Sequence, residues 1–329
     1  MELTSEIRKA TDPIYQKISK ILPEIEWAVH APYIHKINKL KKEKNAIILA
    51  HNYQTPEIYH GIADVAADSL ALAVEASKTS ADLIIMCGVH FMAETAKLMN
   101  PQKRVFLPDM SAGCSLSSSI TGKDVRLLKK KYPGVPVVSY VNTSADVKAE
   151  TDICCTSANA VKIVKSLGVK KVIFLPDDYL AKYVASQTDV EIISWKGTCE
   201  VHEKFNEEEI NQIRTSNPGI KIIAHPECPP DVIDASDFAG STSGMIKYVK
   251  DNQPKKVMMV TECSMSDNVQ VDNPNVEFIR PCNLCPHMKK ITLPKVLDCL
   301  ENETNEILMS EETIEKARKS VERMAEIGR

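Results

Sequence analysis

Short apolar runs alternate with longer amphipathic stretches along most of the chain. The apolar runs predict β-strands at 46–50, 82–87, 104–107, 136–140, 171–175, 190–194, 221–224, 256–260 and 276–279. Helical periodicity is found between them at 66–77, 157–166 and 243–250. Strands that alternate with helices in this order indicate βαβ units and parallel sheets covered on both faces. The sequence therefore predicts an α/β fold.

Polar residues recur at matched places, 85 to 89 residues apart, in three copies of this pattern. They follow the first strand (His51, Tyr140, His225), open the first helix (Ser69, Ser157, Thr242) and follow the last strand (Cys114, Cys199, Cys285). This period is too long for a solenoid repeat. It predicts three homologous, three-layer αβα domains around a pseudo-threefold axis, with the active site at the centre.

The flanking segments do not share the repeat. Apolar positions at helical spacing predict amphipathic helices near the N-terminus and over 311–327. We therefore expect N-terminal helices over 1–44, the three domains over 45–134, 135–219 and 220–304, and a C-terminal helix over 305–329.

Composition and charge exclude several classes of protein. The 329 residues carry a formal charge of −3, so there is no basic excess to drive nucleic-acid binding. No run approaches the roughly 20 apolar residues of a membrane helix. The first residues contain no apolar signal core, so we expect a cytoplasmic protein. In that reducing compartment, clustered cysteines are more often metal ligands or catalytic groups than disulfides.

Three of the ten cysteines stand out by position. Loops at the carboxyl ends of parallel strands form the ligand crevice, so Cys114, Cys199 and Cys285 are expected to converge there. Three thiolates can hold an iron–sulfur cluster or zinc, and their wide spacing favours the cluster. A cluster with three protein ligands leaves one iron open as a Lewis acid. Four cysteines in apolar contexts are expected to be core residues: Cys87, Cys154, Cys155 and Cys299.

The other recurring residues suggest an anionic substrate. Helix N-termini near Ser69, Ser157 and Thr242 offer free backbone N–H groups to a carboxylate or phosphate. The segments that begin at His51, Tyr140 and His225 supply proton-transfer groups. His202, three residues after Cys199, is either a metal ligand or a residue that lines the site.

These segments resemble the quinolinate synthase family of de novo NAD biosynthesis. The matching segments are 48–53 (ILAHNY), 68–70 (DSL), 88–94 (GVHFMAE), 108–114 (PDMSAGC), 140–142 (YVN), 155–159 (CTSAN), 197–202 (GTCEVH), 225–229 (HPECP), 240–242 (GST) and 285–290 (CPHMKK). Their order is specific, and the resemblance runs from about residue 45 to the C-terminus.

The resemblance implies a [4Fe–4S] cluster with one open iron, held by Cys114, Cys199 and Cys285. Cys285 is chosen over Cys282 because Pro-His-Met follows it. The implied reaction condenses iminoaspartate (iminosuccinate) with dihydroxyacetone phosphate to quinolinate and releases phosphate and water. An enzyme that produces iminoaspartate would then be a functional partner. The roles of Cys228, Cys263 and Cys282 stay open.

The resemblance also implies a set of site residues. Substrate contacts are expected from His51, Ser69, Tyr140, Asn142, Ser157, His225, Glu227 and Thr242. Catalytic roles are expected for Glu227, Tyr53, His51 and His225, with Glu227 and Tyr53 moving protons. The alternatives are another trilobal enzyme with an open iron, such as a reductive dehydratase of an isoprenoid diphosphate, an electron carrier, and a zinc-binding structural protein.

Overall fold

The structure is a computed structural model that describes residues 1–280 and 283–328. Its first segment contains α1 (Ser5–Ile18), α2 (Glu24–Glu43), β1 (Ala46–His51), α3 (Pro56–Tyr59), β2 (Val65–Ala67), α4 (Ser69–Lys78), β3 (Leu83–Cys87), α5 (His90–Met99) and β4 (Arg104–Phe106).

The middle of the chain repeats this order once in full and begins a third copy of it. It contains α6 (Ser115–Ser118), α7 (Gly122–Lys131), β5 (Val137–Tyr140), α8 (Ala145–Ala149), β6 (Ile153–Cys155), α9 (Ala160–Ser166), β7 (Lys171–Leu175), α10 (Asp178–Ser186), β8 (Glu191–Ser194), α11 (Glu207–Ser216), β9 (Lys221–Ala224), α12 (Pro230–Asp234), β10 (Phe238–Ala239), α13 (Thr242–Asn252) and β11 (Lys256–Val260).

The remaining elements are α14 (Ser264–Asp272), β12 (Glu277–Ile279), α15 (Leu293–Asn302) and α16 (Glu311–Ile327). Two 3₁₀ turns, His202–Lys204 and Met288–Lys290, follow the segments that carry Cys199 and Cys285. No described helix has the length and apolar character needed to cross a membrane.

The chain forms two compact units. The first consists of residues 1–112, 262–275 and 284–307, and the second of residues 113–261, 276–283 and 308–329. The first unit holds one sheet, and the second unit holds the other two. The domain boundaries proposed from the sequence stay predictions.

Each sheet has four parallel strands in the same order. The orders are β2-β1-β3-β4, β6-β5-β7-β8 and β10-β9-β11-β12. The two inner strands of each sheet are largely buried, as in β3, because helices cover both faces, whereas edge strands such as β2 and β8 are more exposed. The predicted α/β fold class, with three parallel sheets, is confirmed.

One aspartate marks the same place in each sheet. Asp64, Asp152 and Asp237 precede the second strand, and each accepts a hydrogen bond from a backbone N–H of the first strand at 2.7–2.8 Å. The N–H of each aspartate donates to the carbonyl of that same first-strand residue. This reciprocal pairing supports the inference of an internal repeat.

The second strand of each sheet was not predicted. The predicted helix at 66–77 is wrong at its start, because β2 runs to Ala67 and Asp68 caps α4. Likewise, α9 begins at Ala160 because Asn159 Oδ1 accepts from the Thr156 N–H at 2.8 Å and closes a turn. Strands of two or three residues are too short to show a period.

The C-terminal helix belongs to the second unit. Ser320 Oγ in α16 donates to the carbonyl of Lys148 at 3.0 Å, and Arg323 donates to the carbonyl of Asp152 at 2.6 Å. The four cysteines expected in the core are all buried: Cys87, Cys154, Cys155 and Cys299. Burial raises the pKa of each of these thiols.

Candidate functional site

Two of the predicted ligands lie near one another in the second unit. Ser115, directly after Cys114, donates to the carbonyl of Thr198 at 3.1 Å and accepts from the Glu200 N–H at 3.2 Å. These bonds hold the Cys114 loop against the residues on either side of Cys199. Burial raises the pKa of the Cys199 thiol, and charges on Glu227 and Cys114 raise it further. The structure therefore brings Cys114 and Cys199 together.

The loop of Cys199 is fixed from a second side. The backbone of Gly197 exchanges hydrogen bonds with the residues that follow β7, since its N–H donates to the Pro176 carbonyl at 3.0 Å and its carbonyl accepts from Asp178 at 2.9 Å. A Cβ at Gly197 would lie 2.6 Å from the Pro176 carbonyl oxygen. A larger residue at Gly197 would therefore displace the Cys199 loop.

The third predicted ligand, Cys285, belongs to the first unit. Its N–H donates to Glu262 Oε1 at 3.4 Å, and its carbonyl accepts from the Lys289 N–H at 3.2 Å. The convergence of all three thiols stays a prediction. Cys282 lies outside the described residues.

Glu227 is the centre of a buried polar cluster in the second unit, two residues beyond His225. The residue is 4% exposed, and its carboxylate accepts a short hydrogen bond from the Tyr140 hydroxyl. His202 Nδ1 lies 2.8 Å from the other carboxylate oxygen. His202 Nε2 lies 2.9 Å from Thr261 Oγ1, and its ring stacks on that of His225 at 4.8 Å. Tyr140 and His202 therefore fix the position of the Glu227 carboxylate, and Thr261 and His225 fix the ring of His202.

The electrostatics of this cluster favour an ionised Glu227. Burial alone would raise the pKa of Glu227, but hydrogen bonds from His202 and the Tyr140 hydroxyl, together with the charge of His225 and His202 whenever these rings are protonated, lower it below its ordinary value. A carboxylate with three such neighbours can accept a proton when one of those bonds is exchanged for a bond to a substrate.

His51 and His225 have the same local geometry in different units. Nδ1 of each ring accepts from the N–H two residues later, Tyr53 at 3.2 Å and Glu227 at 3.4 Å. A neutral imidazole whose Nδ1 accepts carries its proton on Nε2. Both rings are thereby set to offer a donor at Nε2, and Nε2 of His225 lies 3.1 Å from Ser157 Oγ.

The remaining predicted residues occupy the expected strand ends and helix starts. Ser69 and Thr242 are the first residues of α4 and α13, whose N-caps are Asp68 and Ser241. Ser157 instead lies in the turn before α9, where it contacts His225. His51, Tyr53 and Ser69 belong to the first unit, and the other predicted contact residues belong to the second.

Asn142 has an unused acceptor in the loop that follows β5. Its buried Oδ1 has no hydrogen-bond partner in residues 1–280 and 283–328. The fully buried Lys148 shapes this loop, since its ammonium group donates to the carbonyls of Val141 (2.8 Å) and Thr143. Neither the sequence pattern nor the resemblance pointed to Lys148.

Two further residues at this site were underestimated from the sequence. His202 was left undecided, yet it contacts Glu227, and its Nδ1 also lies 3.1 Å from Cys199 Sγ. Cys199, His202 and Glu227 together form a group that could hold a metal ion. Asp177 is fully buried after β7, where its Oδ1 caps α10 by accepting from Tyr179 and Leu180. Its position after a strand was the available signal.

The donor chemistry fits an iron–sulfur cluster. Thiolates are the usual ligands of such clusters, and Cys114, Cys199 and Cys285 are partly exposed whereas the core cysteines are buried. The polar neighbours Ser115, His202 and Glu262 orient the ligand loops, as neighbours of metal ligands commonly do.

Comparison with known proteins gives the family of this chain. Residues 35–326 match the model of the family described as quinolinate synthetase A protein. The quinolinate synthase of Sinorhizobium fredii (strain NBRC 101917 / NGR234) is 59% identical over 327 residues, which cover 99% of this chain and 91% of that protein. The chain belongs to the quinolinate synthase family. The resemblance inferred from the motifs is confirmed, and the family implies an iron–sulfur cluster.

Two other members of the family also match over most of their length. The quinolinate synthase of Caulobacter vibrioides (strain NA1000 / CB15N) is 54% identical over 328 residues, covering 98% of this chain and 89% of that protein. The quinolinate synthase of Xylella fastidiosa (strain 9a5c) is 59% identical over 294 residues, covering 89% and 87%. Quinolinate synthases are enzymes of NAD biosynthesis that act on small molecules, and neither an isoprenoid dehydratase nor an electron carrier is favoured.

Proposed function

We propose that this protein condenses iminoaspartate with dihydroxyacetone phosphate to form quinolinate, with release of phosphate and water. The observation that carries the proposal is the polar cluster around Glu227, beside the thiol of Cys199. That cluster is built from the residues of the family motifs at Tyr140, Cys199 and His225.

Recognition of the two anionic substrates is assigned to donors at strand ends and helix starts. The Nε2 donors of His51 and His225 suit carboxylate or phosphate oxygens. Thr242 stands at the N-terminus of an 11-residue helix, and Ser69 at that of a 10-residue helix. The helix dipole favours anions at both places.

Proton transfer is assigned to Glu227, with Tyr140 and His202 as its immediate partners. Closing the quinolinate ring requires tautomerisation and dehydration, and each needs a group that both takes and returns a proton. Glu227 meets this requirement because donors on both of its oxygens hold it ionised and in one orientation. Tyr53 is proposed as the second proton-transfer group.

Asn142 is proposed as a substrate contact through its amide. Its Oδ1 has no partner among the described residues, so a substrate hydroxyl or imine N–H would satisfy it. The Lys148 ammonium group holds the surrounding turn and so orients this amide.

We propose that Cys114, Cys199 and Cys285 hold a [4Fe–4S] cluster. When bound, the cluster supplies a Lewis-acid iron that lacks a protein ligand. The reducing environment that such a cluster needs supports a cytoplasmic location. An enzyme that makes iminoaspartate is the partner that this chemistry requires.

One experiment separates the proposal from its alternatives. Anaerobically purified protein is incubated with iminoaspartate and dihydroxyacetone phosphate, with and without a reductant, and quinolinate is quantified by chromatography. Quinolinate formation without reductant is expected, because the condensation is redox-neutral. An absolute need for reductant would favour a reductive dehydratase, and a colourless, zinc-loaded protein with no product would contradict the proposal.

A further inference from the structure

Glu262 is the most completely buried carboxylate beside a predicted ligand. It follows β11 in the chain and has 0% exposure, so its charge must be compensated from within the protein. Three donors surround it, namely Lys289 Nζ at 3.0 Å, the Ser264 N–H at 2.9 Å and the Cys285 N–H at 3.4 Å. One of the three belongs to a predicted cluster ligand.

Lys289, the charged partner of this carboxylate, also makes several hydrogen bonds. The Lys289 ammonium group donates to the Tyr53 carbonyl at 2.9 Å and to Ser264 Oγ at 2.7 Å, in addition to its contact with Glu262. An ammonium group has three protons, so these three acceptors saturate it. The pair thus connects three loops of the first unit, which follow β1, β11 and β12.

Two of these three loops, those that follow β1 and β12, each carry a residue of the proposed chemistry. Tyr53 is a proposed proton-transfer group, and Cys285 is a proposed ligand. Surface ion pairs hold their side chains loosely, whereas a buried pair with every hydrogen bond made fixes both partners. The side chain of Lys289 is 21% exposed, so water competes little for the contact.

We propose that Glu262 and Lys289 form a positioning pair that fixes the Cys285 backbone and the Tyr53 turn for cluster binding and substrate contact. The inference rests on the proposed function, because it takes Cys285 to be a cluster ligand. The pair acts through hydrogen bonds to the main chain at both places and touches neither cluster nor substrate itself. Residues that orient ligands in this way are worth about 10–100-fold in metal affinity or activity.

Two variants test the pair. Glu262→Gln keeps the size and an acceptor but removes the charge, and Lys289→Met removes the ammonium group and keeps the length. Lys97→Met is the matched control, because Lys97 in α5 also donates to a main-chain carbonyl, that of Lys103 at 2.8 Å, but lies outside the ligand loops. Holoprotein is treated with an iron chelator and iodoacetamide, cluster loss is followed by visible absorbance, and alkylation of each cysteine is mapped by mass spectrometry.

The expected result is specific to one loop. Both variants should lose the cluster, and expose Cys285 to alkylation, about 10–100-fold faster than the wild type and Lys97→Met. The buried Cys87 should stay protected in all four proteins. Unchanged Cys285 alkylation in Glu262→Gln would overturn the proposal, as would equal exposure of Cys87 and Cys285 in both variants, which indicates general loosening.

The same experiment distinguishes failure of the pair from failure of the proposed function. If Lys289→Met alone exposes Cys87, the near-isosteric Glu262→Gln decides the question. If the wild type holds no iron or sulfide after anaerobic preparation, the proposed function fails. The alkylation rate of Cys285 relative to Cys114 then still shows whether Glu262 and Lys289 fix its loop.

Discussion

Replacing Glu227 by Gln tests the polar cluster most sharply. Both Tyr140 and His202 donate to the Glu227 carboxylate, so an amide can accept from only one of them and must turn its NH₂ group toward the other donor. At least one charge-assisted hydrogen bond is lost, worth about 1.5–3 kcal/mol. The group that takes and returns the proton is lost as well.

We expect Glu227→Gln to lower kcat by about 10²–10⁴, the usual worth of a positioned acid–base group. This corresponds to roughly 3–5 kcal/mol in the activation barrier. The assay measures quinolinate formation by anaerobically purified protein at saturating substrates. Iron and sulfide contents are measured on the same preparation and should equal those of the wild type, because Glu227 is not a proposed ligand.

Glu207→Gln is the matched control, because it makes the same change of charge at an exposed residue of α11. The control should retain wild-type activity. Wild-type turnover by Glu227→Gln with an intact cluster would refute the role of Glu227. Loss of iron together with activity would instead identify Glu227 as a residue needed for metal binding, in line with its place beside Cys199 and His202.

Three further predictions concern other parts of the second unit. Burial, and then the charge of Glu227, raise the pKa of Asp177, so the native state retains a proton that the unfolded state releases as the pH rises above about 4. In urea unfolding, the stability advantage of the wild type over Asp177→Asn should therefore be fully present at lower pH. It should shrink as the pH rises toward the native pKa of Asp177, by at most about 1.4 kcal/mol per pH unit. A difference in stability that does not depend on pH would contradict this. Ser157→Ala removes the contact with His225 Nε2 and should raise KM about 2–10-fold with little change in kcat, and an unchanged KM would remove Ser157 from substrate binding. Phe174→Ala empties a fully buried position in β7 and should lower the free energy of unfolding by about 3–5 kcal/mol, whereas a loss below 1 kcal/mol would show that Phe174 is not in a packed core.

The α/β architecture could be predicted because the longer strands are continuous apolar runs. The predicted bounds agree with β7, β9 and β11 to the residue. Strands β2, β6 and β10 were missed because two or three residues, at the edge of a sheet, carry too little pattern to separate them from the following helix. These short strands form because they pair with the long first strand of their sheet, and the local sequence pattern does not show that pairing.

The site was predictable in its residue types and less so in its contacts. Position after a strand identified Tyr140, Cys199 and His225, because parallel strands end at a common edge. The sequence could not show that His202 bonds to Glu227, since they are 25 positions apart in the chain and both α11 and β9 lie between them. For the same reason, the Glu262–Lys289 pair is visible only in three dimensions.

The central claim is that three distant cysteines hold one open-iron cluster. Iron and acid-labile sulfide are measured in anaerobically purified wild type and in single Ala variants of Cys114, Cys199, Cys285 and, as a buried control, Cys87. We predict about four iron and four sulfide per wild-type chain, severe loss in the first three variants and full retention in Cys87→Ala. A wild-type content in any of the first three variants would contradict the claim.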